Sequence, residues 1–110
     1  METKNNLLIV RAILRLRTTA EGGRLTGIKT GYRPNHVFEK KEDGKLLQGY
    51  IGDIVFDDQE LIQPGETKTV VVRFIRNPKI EEFILVGRKW LIYEVPKVVA
   101  EAEVIEILSN

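Results

Sequence analysis

The sequence predicts an all-β fold, either a closed barrel or a sandwich, with about six short strands. Apolar and charged residues alternate near both ends of the chain, and β-branched residues dominate part of its centre. Turn signals built from Gly, Pro, Asn and Asp recur about every 8–12 residues. The 110 residues suit a single domain, 1–110, and 43% hydrophobic with 30% charged residues allow a buried core under a polar surface.

The first strand is predicted over residues 8–17. Its apolar and basic side chains have opposite parity, so one face of the strand is expected to be buried and the other charged. The buried face comprises Leu8, Val10, Ala12, Leu14 and Leu16, and the charged face comprises Arg11, Arg15 and Arg17.

A glycine-rich segment, residues 21–34, follows this strand and breaks regular structure. Residues 31–38 then favour a short strand. Pro34 lacks a backbone N–H, so it is confined to an edge, a strand start or a bulge.

A polar turn is predicted over residues 40–45, where an Asp-Gly pair suits a tight hairpin. A strand follows within residues 46–56. Gly49 and Gly52 are its candidate bulge or bend points, because glycine in a strand often marks such sites.

The centre of the chain carries the clearest strand, over residues 68–76, which is rich in β-branched residues. It is preceded by residues 63–66, whose Pro and Gly occupy the positions of a type II turn. Residues 77–82 are expected to turn again. Residues 83–86 and 89–95 are then predicted to form a hairpin around a Gly-Arg pair.

The last strand is predicted over residues 97–108, after Pro96 interrupts the chain. Ala and Glu in this segment also allow a helix, but its Val and Ile content and period of two favour a strand. The apolar parity changes after Val104, which indicates a bulge or an end covered on both faces.

Opposite charges are expected to meet if the first and last strands pair to close the sheet. The first strand would expose Arg11, Arg15 and Arg17, and the last would expose Glu101 and Glu103. Each exposed pair contributes only a few tenths of a kcal/mol, yet such pairs favour the correct register.

Composition excludes several classes of chemistry. The chain has no cysteine, so it has no disulfide or thiolate chemistry, and this fits a cytoplasmic location. The formal charge of +1 argues against nucleic-acid binding by bulk electrostatics. The apolar run at residues 7–10 is too short for a signal-peptide core or a membrane span, so no membrane partner is expected.

No constellation of catalytic or ligating residues is visible in the sequence, so no enzyme activity, metal or cofactor is expected. The single histidine, His36, has no triad partner and is interpreted as a surface or packing residue. Asp57, Asp58 and Glu60 are interpreted as a solvated loop. Trp90 and Tyr93 lie in an apolar strand, where core packing is favoured over base stacking.

Residues 21–38, which read EGGRLTGIKTGYRPNHVF, resemble the start of the C-terminal third domain of the translation elongation factor Tu family. That domain carries a Glu-Gly-Gly-Arg-x-Thr segment and then a Tyr-Arg-Pro strand. Residues 63–82 are similar to its Pro-Gly turn, Val-rich strand and Pro-containing segment. The segments FILVGRKW and VPKVV are similar to its closing hairpin and final strand, so the likeness spans roughly residues 8–108.

The resemblance implies a six-stranded antiparallel closed β-barrel that acts as a non-catalytic module. In the family this domain contacts a second barrel and a GTPase domain, and it helps to hold the T-stem of aminoacyl-tRNA. Gly22, Gly23 and Arg24 match the segment that faces the GTPase domain. Arg33 and Arg88 match positions near the tRNA-facing end.

The sequence also departs from the family pattern. After Tyr-Arg-Pro the family continues into an Arg-Thr-Thr run, whereas residues 39–41 read EKK. The family's Arg-Glu-Gly-Gly-Arg turn is shortened to VGR at residues 86–88, and residues 40–50 have no clear counterpart.

Three interpretations follow for the glycine-rich segment. In the first, a translation-related or GTPase-like protein binds through Gly22, Gly23, Arg24, Tyr32 and Arg33. In the second, tRNA or ribosomal RNA binds through basic side chains, and no DNA binding is expected; this set is Lys29, Lys40, Lys41 and Arg88, together with Arg24 and Arg33. In the third, the glycines only supply positive φ angles and the segment has a structural role.

Overall fold

Six strands form a closed antiparallel barrel in the computed structural model, which describes residues 6–45, 48–57 and 59–109. The strands are β1 (Leu7–Leu16), β2 (Asn35–Val37), β3 (Gly49–Val55), β4 (Thr67–Ile75), β5 (Lys89–Glu94) and β6 (Lys97–Ser109). Their order around the barrel is β1-β4-β3-β2-β5-β6. The predicted six-stranded antiparallel barrel is therefore confirmed, and the sandwich alternative is wrong.

The alternation read from the sequence sets the inside and the outside of the barrel. Every second residue of β1 is buried, and β4 contributes buried Val70, Val72 and Phe74. Their neighbours along each strand point outward. The predicted buried face of the first strand is confirmed.

The glycines of β3 do not form the predicted bulge. β3 pairs with β2 and with β4 without a register shift. A Cβ on Gly52 would lie 2.9 Å from the carbonyl oxygen of Arg73 and 3.0 Å from the Phe74 ring. Gly52 therefore allows close approach of β4 rather than a bulge. Pro34 immediately precedes β2, which is one of the positions predicted for it. Leu46 and Leu47, the first residues of the predicted 46–56 strand, lie outside the described residues.

The turns predicted over residues 40–45 and 63–66 are confirmed, but the Asp-Gly pair does not form a tight hairpin, since β2 ends at Val37 and β3 begins at Gly49. In the turn after β2, the N–H of Gly44 donates to the carbonyl of Lys41 at 2.9 Å, and Gly44 has a φ of +86°. In the turn before β4, the N–H of Glu66 donates to Gln63 at 3.0 Å, and Gly65 has a φ of +90°. The positive φ at the third residue is the requirement of a type II turn.

The segment between β4 and β5 differs from its prediction as a turn followed by a hairpin strand. It contains a short helix, α1 (Pro78–Glu81), in which the Ile80 N–H donates to the side chain of the N-cap residue Asn77 at 2.9 Å. Residues 83–86 are not a strand. Phe83 turns inward to stack on Phe38, with ring centroids 5.2 Å apart, and this contact holds the segment in successive turns.

The last segment is a strand along its whole length, so the helix alternative is wrong. The predicted bulge is confirmed. Ala12 is opposite Val104 and Arg11 is opposite Glu106, which leaves Ile105 as the extra residue. The change of apolar parity in the sequence therefore marks the position where the pairing of β6 with β1 shifts by one residue.

β1 and β6 close the barrel, and opposite charges meet along their seam. Arg15 and Arg17 contact the Glu101 carboxylate at 3.1 and 3.0 Å. Arg11 pairs with Glu106, because the bulge places Glu106 instead of Ile105 opposite it, whereas Glu103 lies opposite Ile13. The predicted charge pairing is confirmed at Glu101.

The strand directions define two ends of the barrel. The glycine-rich end carries residues 17–34, 56–57, 59–66 and 95–96, and the opposite, helix end carries residues 38–45, 48 and 76–88. β3 has seven residues, so roughly 20 Å of strand separates the two ends.

Candidate functional site

Arg24, Tyr32 and Glu94 form a polar cluster at the glycine-rich end. Arg24 makes an ion pair with Glu94, and its guanidinium carbon lies 5.2 Å from the centre of the Tyr32 ring. The Tyr32 hydroxyl donates to the same carboxylate. We call these three residues the anchor cluster, because they tie the glycine-rich segment to the end of β5.

The electrostatics of the anchor cluster favour an ionised Glu94 and a neutral Tyr32. Burial and the adjacent carboxylate raise the pKa of Tyr32. Burial opposes ionisation of Glu94, but hydrogen bonds from Tyr32 and Arg24 outweigh it and lower the pKa of Glu94. The predicted contact residues Arg24 and Tyr32 thus already have partners within the chain.

Gly22 and Gly23 shape the loop that carries Arg24. Gly22 has a φ of +89° and ends a short 3₁₀ turn, Thr19–Glu21. A Cβ on Gly23 would lie 2.7 Å from the carbonyl oxygen of Arg17, so only glycine fits there. The Lys97 ammonium group also donates to the carbonyl of Gly23 at 3.1 Å. Gly22 thus has the positive φ that the structural interpretation predicts, whereas Gly23 does not and is required for close approach to Arg17.

Two large aliphatic side chains project from this fixed base. Leu25 follows Arg24 and is 80% exposed, and Val95 follows Glu94 and is 73% exposed. The Arg24–Glu94 ion pair brings their two loops together. The sequence analysis did not identify either residue. The sequence feature that could have indicated them is the aliphatic residue that directly follows Arg24 and Glu94.

Arg33 and Lys29 lie at the same end and are exposed. Arg33 contributes to lowering the pKa of Asp53, after the larger effect of Arg73. The structure therefore brings together all five residues predicted to bind a protein: Gly22, Gly23, Arg24, Tyr32 and Arg33.

The structure does not bring the predicted RNA-binding residues together. Lys29 lies at the glycine-rich end, whereas Lys40, Lys41 and Arg88 lie at the helix end. Arg88 donates to the carbonyl of Phe38 at 2.7 Å and lies over the Phe83 ring at 5.2 Å, so it supports the core. These residues form no single basic patch.

The structure gives contacts or burial for four of the remaining sequence candidates, His36, Trp90, Glu60 and Asp57. His36 is fully buried, and Trp90 is a core residue as predicted. Glu60 pairs with Lys68, and Asp57 accepts a hydrogen bond from the N–H of Gln59, whereas Asp58 lies outside the described residues.

No group of three His, Cys, Asp or Glu side chains in the described part of the chain is placed to hold a metal ion. None of the described helices has the length and the hydropathy of a membrane span. Comparison with known proteins found no matching family and no matching curated protein. The resemblance to the third domain of elongation factor Tu therefore rests on the sequence motifs alone.

Proposed function

We propose that this chain is a protein-binding module and that its glycine-rich end contacts the partner. The observation that carries the proposal is the outward display of Leu25 and Val95 on loops joined by the anchor cluster. Large aliphatic side chains at such exposure gain free energy when a partner covers them, about 1.5–3 kcal/mol for each fully buried side chain.

The rigid base strengthens this proposal. Binding is weakened when loops must be ordered on contact, and preorganised loops avoid that loss. Here the loop of Leu25 is held by Arg24, by the two glycines and by Lys97. Protein interfaces have an apolar centre and a polar rim, and Leu25 and Val95 supply apolar area beside the charged groups of the anchor cluster.

The resemblance to the elongation factor Tu family indicates which partner to examine first. A translation protein or a GTPase would fit a module of that kind, and would place this chain in the cytosol. Because Arg24 and Tyr32 have partners within the chain, we assign the contact energy to Leu25, Val95 and the exposed Arg33 instead.

RNA binding is the alternative outcome. It requires clustered cations, because affinity for phosphates depends on the number of charges neutralised together. The predicted cations are divided between the two ends, so protein binding is the better-supported function.

The test is affinity capture from cell lysate with the tagged chain, analysed for both protein and RNA. The variants are Leu25→Asp and Val95→Asp. Leu85→Asp is the matched control, since Leu85 is 61% exposed at the helix end. We expect a protein that is captured by the wild type and by the control but lost with both glycine-rich-end variants. Equal capture by all four chains, or enrichment of tRNA alone, would contradict the proposal.

A further inference from the structure

A groove runs along the outer face of β5, on the side of the barrel. The side chains of Lys89, Leu91 and Tyr93 point outward, because they alternate with residues of the buried core. Two cavities, of about 550 and 650 Å³, lie over them and share Val37 of β2 in their linings. Lys89 lines the first cavity and Val95 the second. Six strand steps separate these residues, so the groove is roughly 20 Å long.

Val37 shows that the groove has a raised wall. It is only 3% exposed, although it is not part of the core cluster inside the barrel. Residues 39–40 line the first cavity beside it, and residues 44–45 line the second. The segment after β2 therefore forms one wall of the groove, and the outward side chain of Glu103 on β6 lies on the opposite side of the first cavity.

We infer that this groove binds an extended peptide segment of another protein, which carries apolar side chains at every second position. The groove lies on the side of the barrel, so the inference goes beyond the proposed function of the glycine-rich end and does not depend on it.

The polar groups of the groove match a polypeptide backbone. Its walls carry the ammonium groups of Lys40, Lys45 and Lys89 and the carboxylates of Glu39 and Glu103. Among the described residues none of these five side chains has an ion pair or hydrogen-bond partner, although Lys89 lies opposite Glu103 in the ladder. An extended backbone presents both N–H and C=O groups along its length, so it can use both the donors and the acceptors. A nucleic-acid backbone offers only phosphates, which the carboxylates would repel.

The apolar floor of the groove matches the side chains of such a segment. Leu91 lies opposite Val37 in the first cavity, and Tyr93 and Val95 line the second. These floor positions on β5 and just after it are two residues apart, which is the repeat of side chains on one face of an extended chain. Apolar cavities of this size with a few placed polar groups are typical of binding sites.

The test is selection of a random heptapeptide library, displayed on phage, against the tagged full chain. Selected peptides are then synthesised and titrated into the isotope-labelled chain by amide NMR. The groove variant is Leu91→Thr, because threonine removes apolar area while it keeps strand propensity. The matched control is Ile75→Thr, since Ile75 is 47% exposed on β4, on the opposite side of the barrel. Leu25→Asp tests the glycine-rich end separately, and thermal unfolding checks that each variant is folded.

We expect the selected peptides to share apolar residues at alternate positions. They should bind the wild type, Ile75→Thr and Leu25→Asp alike, and Leu91→Thr about tenfold more weakly. Amide shifts should change at β5, at β6 and at residues 38–45. A library without enriched peptides would overturn the inference, as would peptides that bind Leu91→Thr with full affinity. Binding that is lost with Leu25→Asp, with shifts confined to residues 22–34, would assign the peptides to the glycine-rich end and overturn it too.

Discussion

His36 shows how a polar side chain is accommodated in the centre of this barrel. The indole N–H of Trp90 donates to its Nδ1 at 3.0 Å, so Nε2 carries the proton and donates to the carbonyl of Gly52 at 2.9 Å. Both ring nitrogens are therefore satisfied while the imidazole is neutral. Burial lowers the pKa of His36 to about 4, although Gly52 and Asp53 favour the protonated form.

Stability should consequently depend on His36 in mild acid. Below about pH 6.5 the unfolded chain binds a proton at His36 that the folded chain does not take up until about pH 4. The free energy of unfolding should fall by about 3 kcal/mol across that window, with His36 neutral in the fold above it. Urea unfolding at successive pH values measures the change. His36→Gln is the control and should lose this component of the slope; parallel profiles would contradict the assignment.

At the scale of elements, short turns fix the order in which the strands meet. The turn at residues 63–66 delivers the chain into β4, and the N–H of Gly65 donates to the carbonyl of Leu16 at 2.7 Å. The same turn thus ties the start of β4 to the end of β1. Its geometry requires a positive φ at Gly65.

Replacing Gly65 tests this requirement. Gly65→Ala should destabilise the fold by about 1–2 kcal/mol, because an L-residue is strained at positive φ. Gly65→Asn adds the same Cβ but tolerates the left-handed conformation, so it should cost clearly less. Denaturant unfolding of the three chains gives the comparison. Equal losses for Ala and Asn would assign the effect to the contact between the new Cβ and Thr18, 3.3 Å away, instead of to φ.

At the scale of the whole molecule, charge is distributed rather than concentrated. The exposed cations Lys29 and Arg33 lie at one end, and Lys40 and Lys41 lie at the other beside Glu39 and other acids. The small net charge of +1 therefore does not conceal a concentrated basic patch on the described surface. Such an arrangement suits a protein partner better than a nucleic acid.

This distribution predicts weak or undetectable tRNA binding. In about 50 mM salt, where phosphate contacts are strongest, we expect no electrophoretic shift of tRNA at micromolar protein. Lys40→Glu/Lys41→Glu serves as a comparison and should behave like the wild type. A shift that weakens steeply with salt, and that this double variant loses, would favour RNA binding at the helix end.

The sequence by itself determined the barrel strands and most of their connections. The signals for these elements are local: the alternation in β1 and β6, the β-branched run in β4 and the two glycine turns. Backbone geometry alone favours each of these structures, so they do not depend on contacts with distant residues. Even the bulge at Ile105 was visible as a change of parity. The failures lie at residues 83–86 and at Gly52, where Phe83 stacks on Phe38 and β4 approaches β3 closely.

Only the tertiary structure decided the arrangement of the candidate site. It joined Arg24 to Glu94, which are distant in sequence, and so linked the loops on which Leu25 and Val95 are exposed. It also placed the predicted cations at opposite ends of the barrel. The physical reason is that these features depend on which strands pair and in which register, and a local pattern fixes the face of a residue but not its neighbours.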